Sequence, residues 1–95
     1  MKFLTNIDID MKKIEMRPIM SSQIKSVGYD ATYQILYLEF LTGSVYRYLD
    51  VPAKHYEMLI TPTLSAGRYF GQEIKGKFDY EKLTDVTVID GYIEL

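Results

Sequence analysis

The sequence predicts an α+β domain: an antiparallel sheet with a three-stranded meander core, then two short helices, with an extra N-terminal strand and a C-terminal β-hairpin. Three observations predict it. Apolar strand patterns at Ile35–Phe40 and Val45–Tyr48 flank a short Gly-containing loop, the signature of a paired hairpin. Pro52 then opens a helical pattern that Thr61-Pro62 closes, as expected of proline at a helix start and beyond a helix end. Asp90-Gly91 separates Val86–Ile89 from Tyr92–Leu95, a two-residue turn pair between two β-rich runs.

Each element follows in order. Ile7-Asp8-Ile9-Asp10-Met11 alternates as a strand with one wet face. Arg17-Pro18 breaks whatever precedes it. Ile24 and Val27 anchor the next strand, where their spacing and Gly28 imply a bulge or a close backbone approach. Asp30-Ala31-Thr32 is a turn, and Ile35–Phe40 a strand with Leu36, Leu38 and Phe40 on one side.

Loop length decides where the tyrosines point. A two-residue turn at Thr42-Gly43 pairs Phe40 with Val45 and sends Arg47 toward the core. A three-residue loop, Leu41-Thr42-Gly43, pairs Phe40 with Ser44 and puts Tyr46 and Tyr48 on the face of Leu36, Leu38 and Phe40. The second is preferred, because a one-residue slip flips every side chain and would bury a guanidinium. After the first helix, with Tyr56, Leu59 and Ile60 at helical spacing, Ser65 caps a second one from about Ala66 to Lys75. Tyr69, Phe70 and Ile74 form its apolar stripe, Gly76 stops it and Phe78 docks back on the core.

Ninety-five residues make a single domain, 1–95, with a modest core. The net charge of -2 argues against a dedicated binder of long nucleic acid, though not against a local basic patch. Without cysteine there is no disulfide framework and no thiol nucleophile, and the single His55 cannot form a histidine cluster within one chain. His55 is expected to be an ordinary exposed helix residue. No apolar run reaches membrane-span length, and the start turns acidic too early for a secretion signal. The expectation is a cytoplasmic protein with no membrane partner, cofactor or metal.

The middle of the chain resembles the KTSC domain family. The resemblance runs through Ser22, Ile24, Val27-Gly28-Tyr29-Asp30, Leu36, Leu38, Phe40, Gly43, Val45-Tyr46-Arg47-Tyr48, Val51-Pro52, Tyr56, Leu59, Ser65, Gly67, Arg68-Tyr69-Phe70, Ile74 and Phe78. It implies a family core over 20–78, an N-terminal extension over 1–19 and a C-terminal hairpin extension over 79–95. That domain is found at the C-terminus of some lysyl-tRNA synthetases and as small standalone bacterial and viral proteins. This context implies RNA association and no enzymatic activity. Three departures stand out: apolar Ile35, Tyr37 and Leu49 on a face the family keeps polar, Lys75 where arginine is common, and the two extensions.

The candidate ligand-binding residues are Arg47, Tyr46, Tyr48, Ser65, Gly67, Arg68, Tyr69 and Lys75; none is expected to be catalytic. Tyr46 and Tyr48 either pack in the core or offer a ring edge on which a base stacks. Ser65-Ala66-Gly67-Arg68 either caps a helix or seats an anion at its start, with Lys75 on the same face two turns on. Arg47 projects from the outer face beside Tyr37. The acidic pairs Asp8/Asp10 and Glu81/Asp85 lack a third ligand at recognisable spacing and are assigned to solubility. Ile35, Tyr37, Val45 and Leu49 form an apolar outer stripe that the chain's own extensions or another subunit must cover.

Three functions fit. The first is a non-enzymatic binder of a small nucleotide, an oligomeric sponge for a cyclic nucleotide signal. The second is an RNA-binding, tRNA-associated accessory module. The third is a protein-interaction or assembly domain without a ligand. The partners expected are a small nucleotide or short RNA and further copies of the chain.

Overall fold

Two sheets divide the strands of this protein in a computed structural model that describes residues 12–95. The strand expected over Ile7–Met11 lies outside the described residues. The elements are β1 (Lys13–Glu15), β2 (Arg17–Pro18), β3 (Ile24–Asp30), β4 (Ile35–Phe40), β5 (Val45–Tyr48), α1 (Ala53–Leu59), α2 (Ala66–Glu73), β6 (Tyr80–Leu83) and β7 (Tyr92–Glu94). The larger sheet is antiparallel in the order β2-β3-β4-β5-β6, and β1 pairs with β7 in a second, two-stranded sheet. The α+β class expected from the sequence holds, with the β3-β4-β5 meander at its centre.

The β4–β5 loop sets the register. Phe40 N–H donates to Ser44 O at 2.9 Å and Gly43 N–H to Phe40 O at 2.8 Å. Gly43 sits at φ 97°, a conformation that costs glycine no steric penalty. Leu36 then faces Tyr48, Tyr37 faces Arg47 and Leu38 faces Tyr46. Tyr46 and Tyr48 therefore share the inner face with Leu36, Leu38 and Phe40, and Arg47 points the other way.

The inner face is closed by the helices. Ile24, Val27, Leu36, Leu38 and Tyr48 pack with Val51, Leu59, Ala66, Phe70 and Ile74. The outer face is closed by the two ends of the described chain: Tyr37 and Val45 pack with Ile14, Met16 and Ile93, and Ile35, Leu83, Val86, Val88 and Leu95 complete the cluster. This answers the question the apolar stripe raised, since the extensions cover it. Leu49, expected in the stripe, is half-buried and stands outside that cluster.

The irregularity of β3 has two separate causes. The ladder shifts between Ile24 and Ser26, which places a bulge at Lys25. Gly28 is the close approach: a Cβ there would lie 2.6 Å from both Glu15 O and Met16 Sδ and 2.9 Å from Ile14 Cγ2. Without a side chain at 28, β1 can lie across the sheet. Arg17-Pro18, read from sequence as a break, instead adds β2 as an edge strand against Val27 and Ser26. Proline is tolerated there because an edge strand needs fewer ladder donors.

The Asp90-Gly91 turn forms with both residues at positive φ, and Ile89 and Tyr92 make a bridge across it. Beyond that bridge, β7 takes β1 as its ladder partner. The segment 80–83, not singled out in the sequence, becomes the edge strand β6 beside β5.

Candidate functional site

Between the inner face and the C-terminal end of α2 lies an open groove of about 700 Å³. Its walls carry Phe40, Tyr46, Tyr48, Phe70 and Tyr80, its rim Ser22, Gln23, Leu41, Thr42 and Ser44, and its far end Lys75 and Gly76. The rings form a closed circuit. Centroid separations are 5.6 Å for Phe40–Tyr46, 5.9 Å for Tyr46–Tyr80, 5.4 Å for Tyr48–Tyr80, 5.6 Å for Tyr48–Phe70 and 5.7 Å for Phe40–Phe70. Edge-to-face and offset contacts of this kind hold rings in fixed orientation.

The electrostatics of the groove differ from those of the whole chain. The protein is net acidic, yet among the described residues no carboxylate lines the groove and the one charged lining residue is Lys75. Lys82 stands opposite Tyr46 in the β5–β6 ladder, so it shares the inner face. Burial, with Tyr46 and Tyr80 nearby, pushes the Tyr48 phenol up to about 12. Tyr48 therefore stays neutral and is suited to packing rather than to proton transfer at ordinary pH.

The expected site residues fall into four places. Tyr46, Tyr48 and Lys75 meet in the groove. Ser65, Gly67 and Arg68 lie at the opposite end of α2, where Ser65 Oγ accepts from Arg68 N–H at 3.4 Å. Gly67 there lies against Gln23 and Ser21, its Cβ direction reaching Gln23 Cδ at 3.5 Å. Tyr69 turns toward α1, and Arg47 sits on the outer face, its Nη2 donating to Glu81 Oε1 at 3.1 Å. Burial alone would lower the Arg47 pKa, but Glu81 and Tyr37 more than offset it.

Two residues depart from, or escape, the sequence expectations. His55 is buried, not an exposed helix residue: its Nδ1 lies 2.8 Å from Tyr69 Oη and its ring packs on Phe78 at 5.5 Å. Burial, aided by Lys54 and opposed by Glu73, lowers its pKa and keeps the ring neutral. Tyr80 supplies a groove wall from β6. Its one sequence signal was the alternation Tyr80-Glu81-Lys82-Leu83, which carries a single-sided aromatic and cation pair.

Residues 20–78 match the KTSC domain family. The chain belongs to that family. A KTSC domain protein from Yersinia pestis has the same fold, with a TM-score of 0.69 and 36% identity over 74% of this chain and 97% of that one. A lysine–tRNA ligase of Trichormus variabilis is 48% identical over 63 residues, which is 66% of this chain and 11% of the ligase. A ligase of Nostoc punctiforme is 43% identical over the same shares. The KTSC domain thus occurs within lysine–tRNA ligases, of which this chain spans about a ninth. Among the described residues, no helix is long and apolar enough to cross a membrane, and no group of three or more His, Asp or Glu could hold a metal ion.

Proposed function

We propose that this KTSC domain is a non-catalytic RNA-binding module that takes single-stranded RNA into its aromatic groove. The observation that carries the proposal is the groove's lining: five aromatic rings, a polar rim and Lys75, with no carboxylate among the described residues. Base stacking on aromatic rings contributes about 1–3 kcal/mol per base and does not depend on sequence. Ser22, Gln23, Thr42 and Ser44 offer donors and acceptors to base edges, and Lys75 offers a cation to one phosphate. The family's occurrence within lysine–tRNA ligases supports RNA over other anions. Ser65, Gly67 and Arg68 serve as helix cap and packing contact in this reading, and Tyr46, Tyr48 and Lys75 as ligand contacts.

The test is fluorescence polarisation of the full chain with single-stranded RNA and tRNA across a salt series. Few phosphate contacts predict a shallow slope of log K on log salt, about -0.7 per phosphate for single strands. Lys75→Ala is expected to flatten it by about that amount. No binding to either RNA at low salt would end the reading.

A second reading, the small-nucleotide sponge, draws on the groove's volume of about 700 Å³, within the usual range for small-ligand pockets. Calorimetry against mono- and cyclic dinucleotides separates the two. Heat with a free nucleotide at affinity equal to or above that of RNA favours the sponge. Its oligomeric form would need a surface other than the outer stripe, which the extensions already cover.

A further inference from the structure

Tyr80 lies two residues past the segment that matches the family. We infer that Tyr80 is the platform on which an unpaired base stacks in the groove, so that the segment after the KTSC domain completes the site. The inference rests on the proposed nucleic-acid reading of the groove and adds the residue that captures the base.

Four observations carry it. Tyr80 is 60% exposed, whereas Tyr48 and Phe70 beside it are 5% and 6% exposed. Its ring stacks on Tyr48 at an interplanar angle of 28° and also touches Tyr46, both on β5, and the exposed part of the ring remains free for a ligand. A planar apolar surface held at a groove mouth is what a base can cover. The cations complement the phosphates such a base carries: Lys75 lines the groove and Lys82 shares the inner face of β6.

The platform is also rigid. Tyr80 pairs with Tyr48 and Glu81 with Arg47 in the ladder. The Arg47–Glu81 ion pair and the packing of Leu83 in the outer cluster fasten β6 from the other side of the sheet. Arg47 thus acts through β6 as a positioning residue, not as a ligand contact. A base already stacked inside a duplex cannot cover Tyr80, so recognition is limited to unpaired nucleotides, whether free or in a strand.

The test titrates the full chain, Tyr80→Ala and Tyr80→Phe with a hexanucleotide RNA carrying one 2-aminopurine, with AMP, and with a blunt RNA duplex. Circular dichroism checks that each variant is folded. The expected result is binding of the hexanucleotide with quenched 2-aminopurine fluorescence, a loss of about tenfold or more in Tyr80→Ala, near-native binding in Tyr80→Phe, and no competition by the duplex. AMP binding of similar strength would assign the base to a free nucleotide, and much weaker AMP binding to a strand; both keep Tyr80 as the platform. If the wild type binds and Tyr80→Ala binds equally well, or the duplex competes fully, the inference is overturned while the RNA reading survives. If the wild type binds no ligand, both fall.

Discussion

The two faces of the central sheet are closed in different ways, and the groove lies on only one of them. The outer face is covered by strands from the two ends of the described chain, β1 and β7, which meet through three residue pairs. A ladder that short has little stability of its own, so it depends on packing against Tyr37 and Val45. The inner face is covered by helices that follow directly in the chain, and that cover leaves Phe40 and Tyr46 half-buried and Tyr80 exposed. The comparison separates burial that holds the fold from aromatic surface left accessible. β6 links the two, with Leu83 in the outer cluster and Tyr80 on the groove.

The sharpest way to break this division is Ile93→Ala. Ile93 is fully buried beside Ile14, packed with Tyr37 and Val45 in the outer cluster, and truncating such a side chain costs about 2–5 kcal/mol. Urea denaturation should show that loss. Hydrogen exchange should show β1 and β7 amides losing protection first, with β3–β5 amides retaining theirs. Equal loss across all five strands would mean that the two faces do not open separately.

Asp30→Asn tests a smaller tie between the N-terminal segment and the meander. Asp30 is buried and pairs with Lys12, while its Oδ1 accepts from Thr32 N–H at 3.0 Å and Tyr33 N–H at 3.4 Å. Burial raises its pKa, but the Lys12 partner and the two backbone donors outweigh burial and hold the carboxyl below its ordinary value. The folded state thus binds the proton less readily than the unfolded state. The stabilisation is complete above the ordinary value of 3.8 and is lost as pH falls through the lowered one. Asp30→Asn keeps the Oδ1 contacts and removes the charge, so it should cost about 1–2 kcal/mol near neutrality, discounted for the partial exposure of Lys12. The difference from wild type should vanish in acid; a constant difference from pH 7 to pH 2 would show that the charge is not its source.

Much of the inner face was legible in the sequence because its signals are local. Gly43 fixed the loop, the loop fixed the register, and the register fixed which way Tyr46, Arg47 and Tyr48 point. Ser65, Phe70, Ile74 and Gly76 act within one helix. The outer face was legible only as a need for cover, since Ile14 and Ile93 are brought together by the fold and nothing in their local sequence pairs them. The burial of His55 is not legible for the same reason: Tyr69 and Phe78, which bury it, come from later elements. Tyr80 is not legible locally because a four-residue edge strand with two charges resembles a loop without β5 beside it. The seven-residue spacing of Arg68 and Lys75 implies one helical face, but α2 ends at Glu73 and Lys75 enters the groove past its last turn.

That separation sets the smallest expected effect. Ser65 caps α2 through a bond of 3.4 Å to Arg68 N–H, near the long limit for an O–H or N–H partner. Ser65→Ala should therefore cost about 0.5–1 kcal/mol, at the low end for a lost N-cap. α2 runs about 12 Å along eight residues at 1.5 Å each; Phe70 at its middle, Lys75 past its end and Gln23 beside Gly67 reach the groove, and neither Ser65 nor Arg68 is among the described residues that line it. Ser65→Ala and Arg68→Ala should leave RNA affinity within twofold of wild type, measured beside Lys75→Ala as the positive case. A loss of more than fivefold in both would extend the site to the helix start. The anion seat would then belong to the site, and the inner face would carry one ligand surface running from Arg68 past Gln23 to Tyr80.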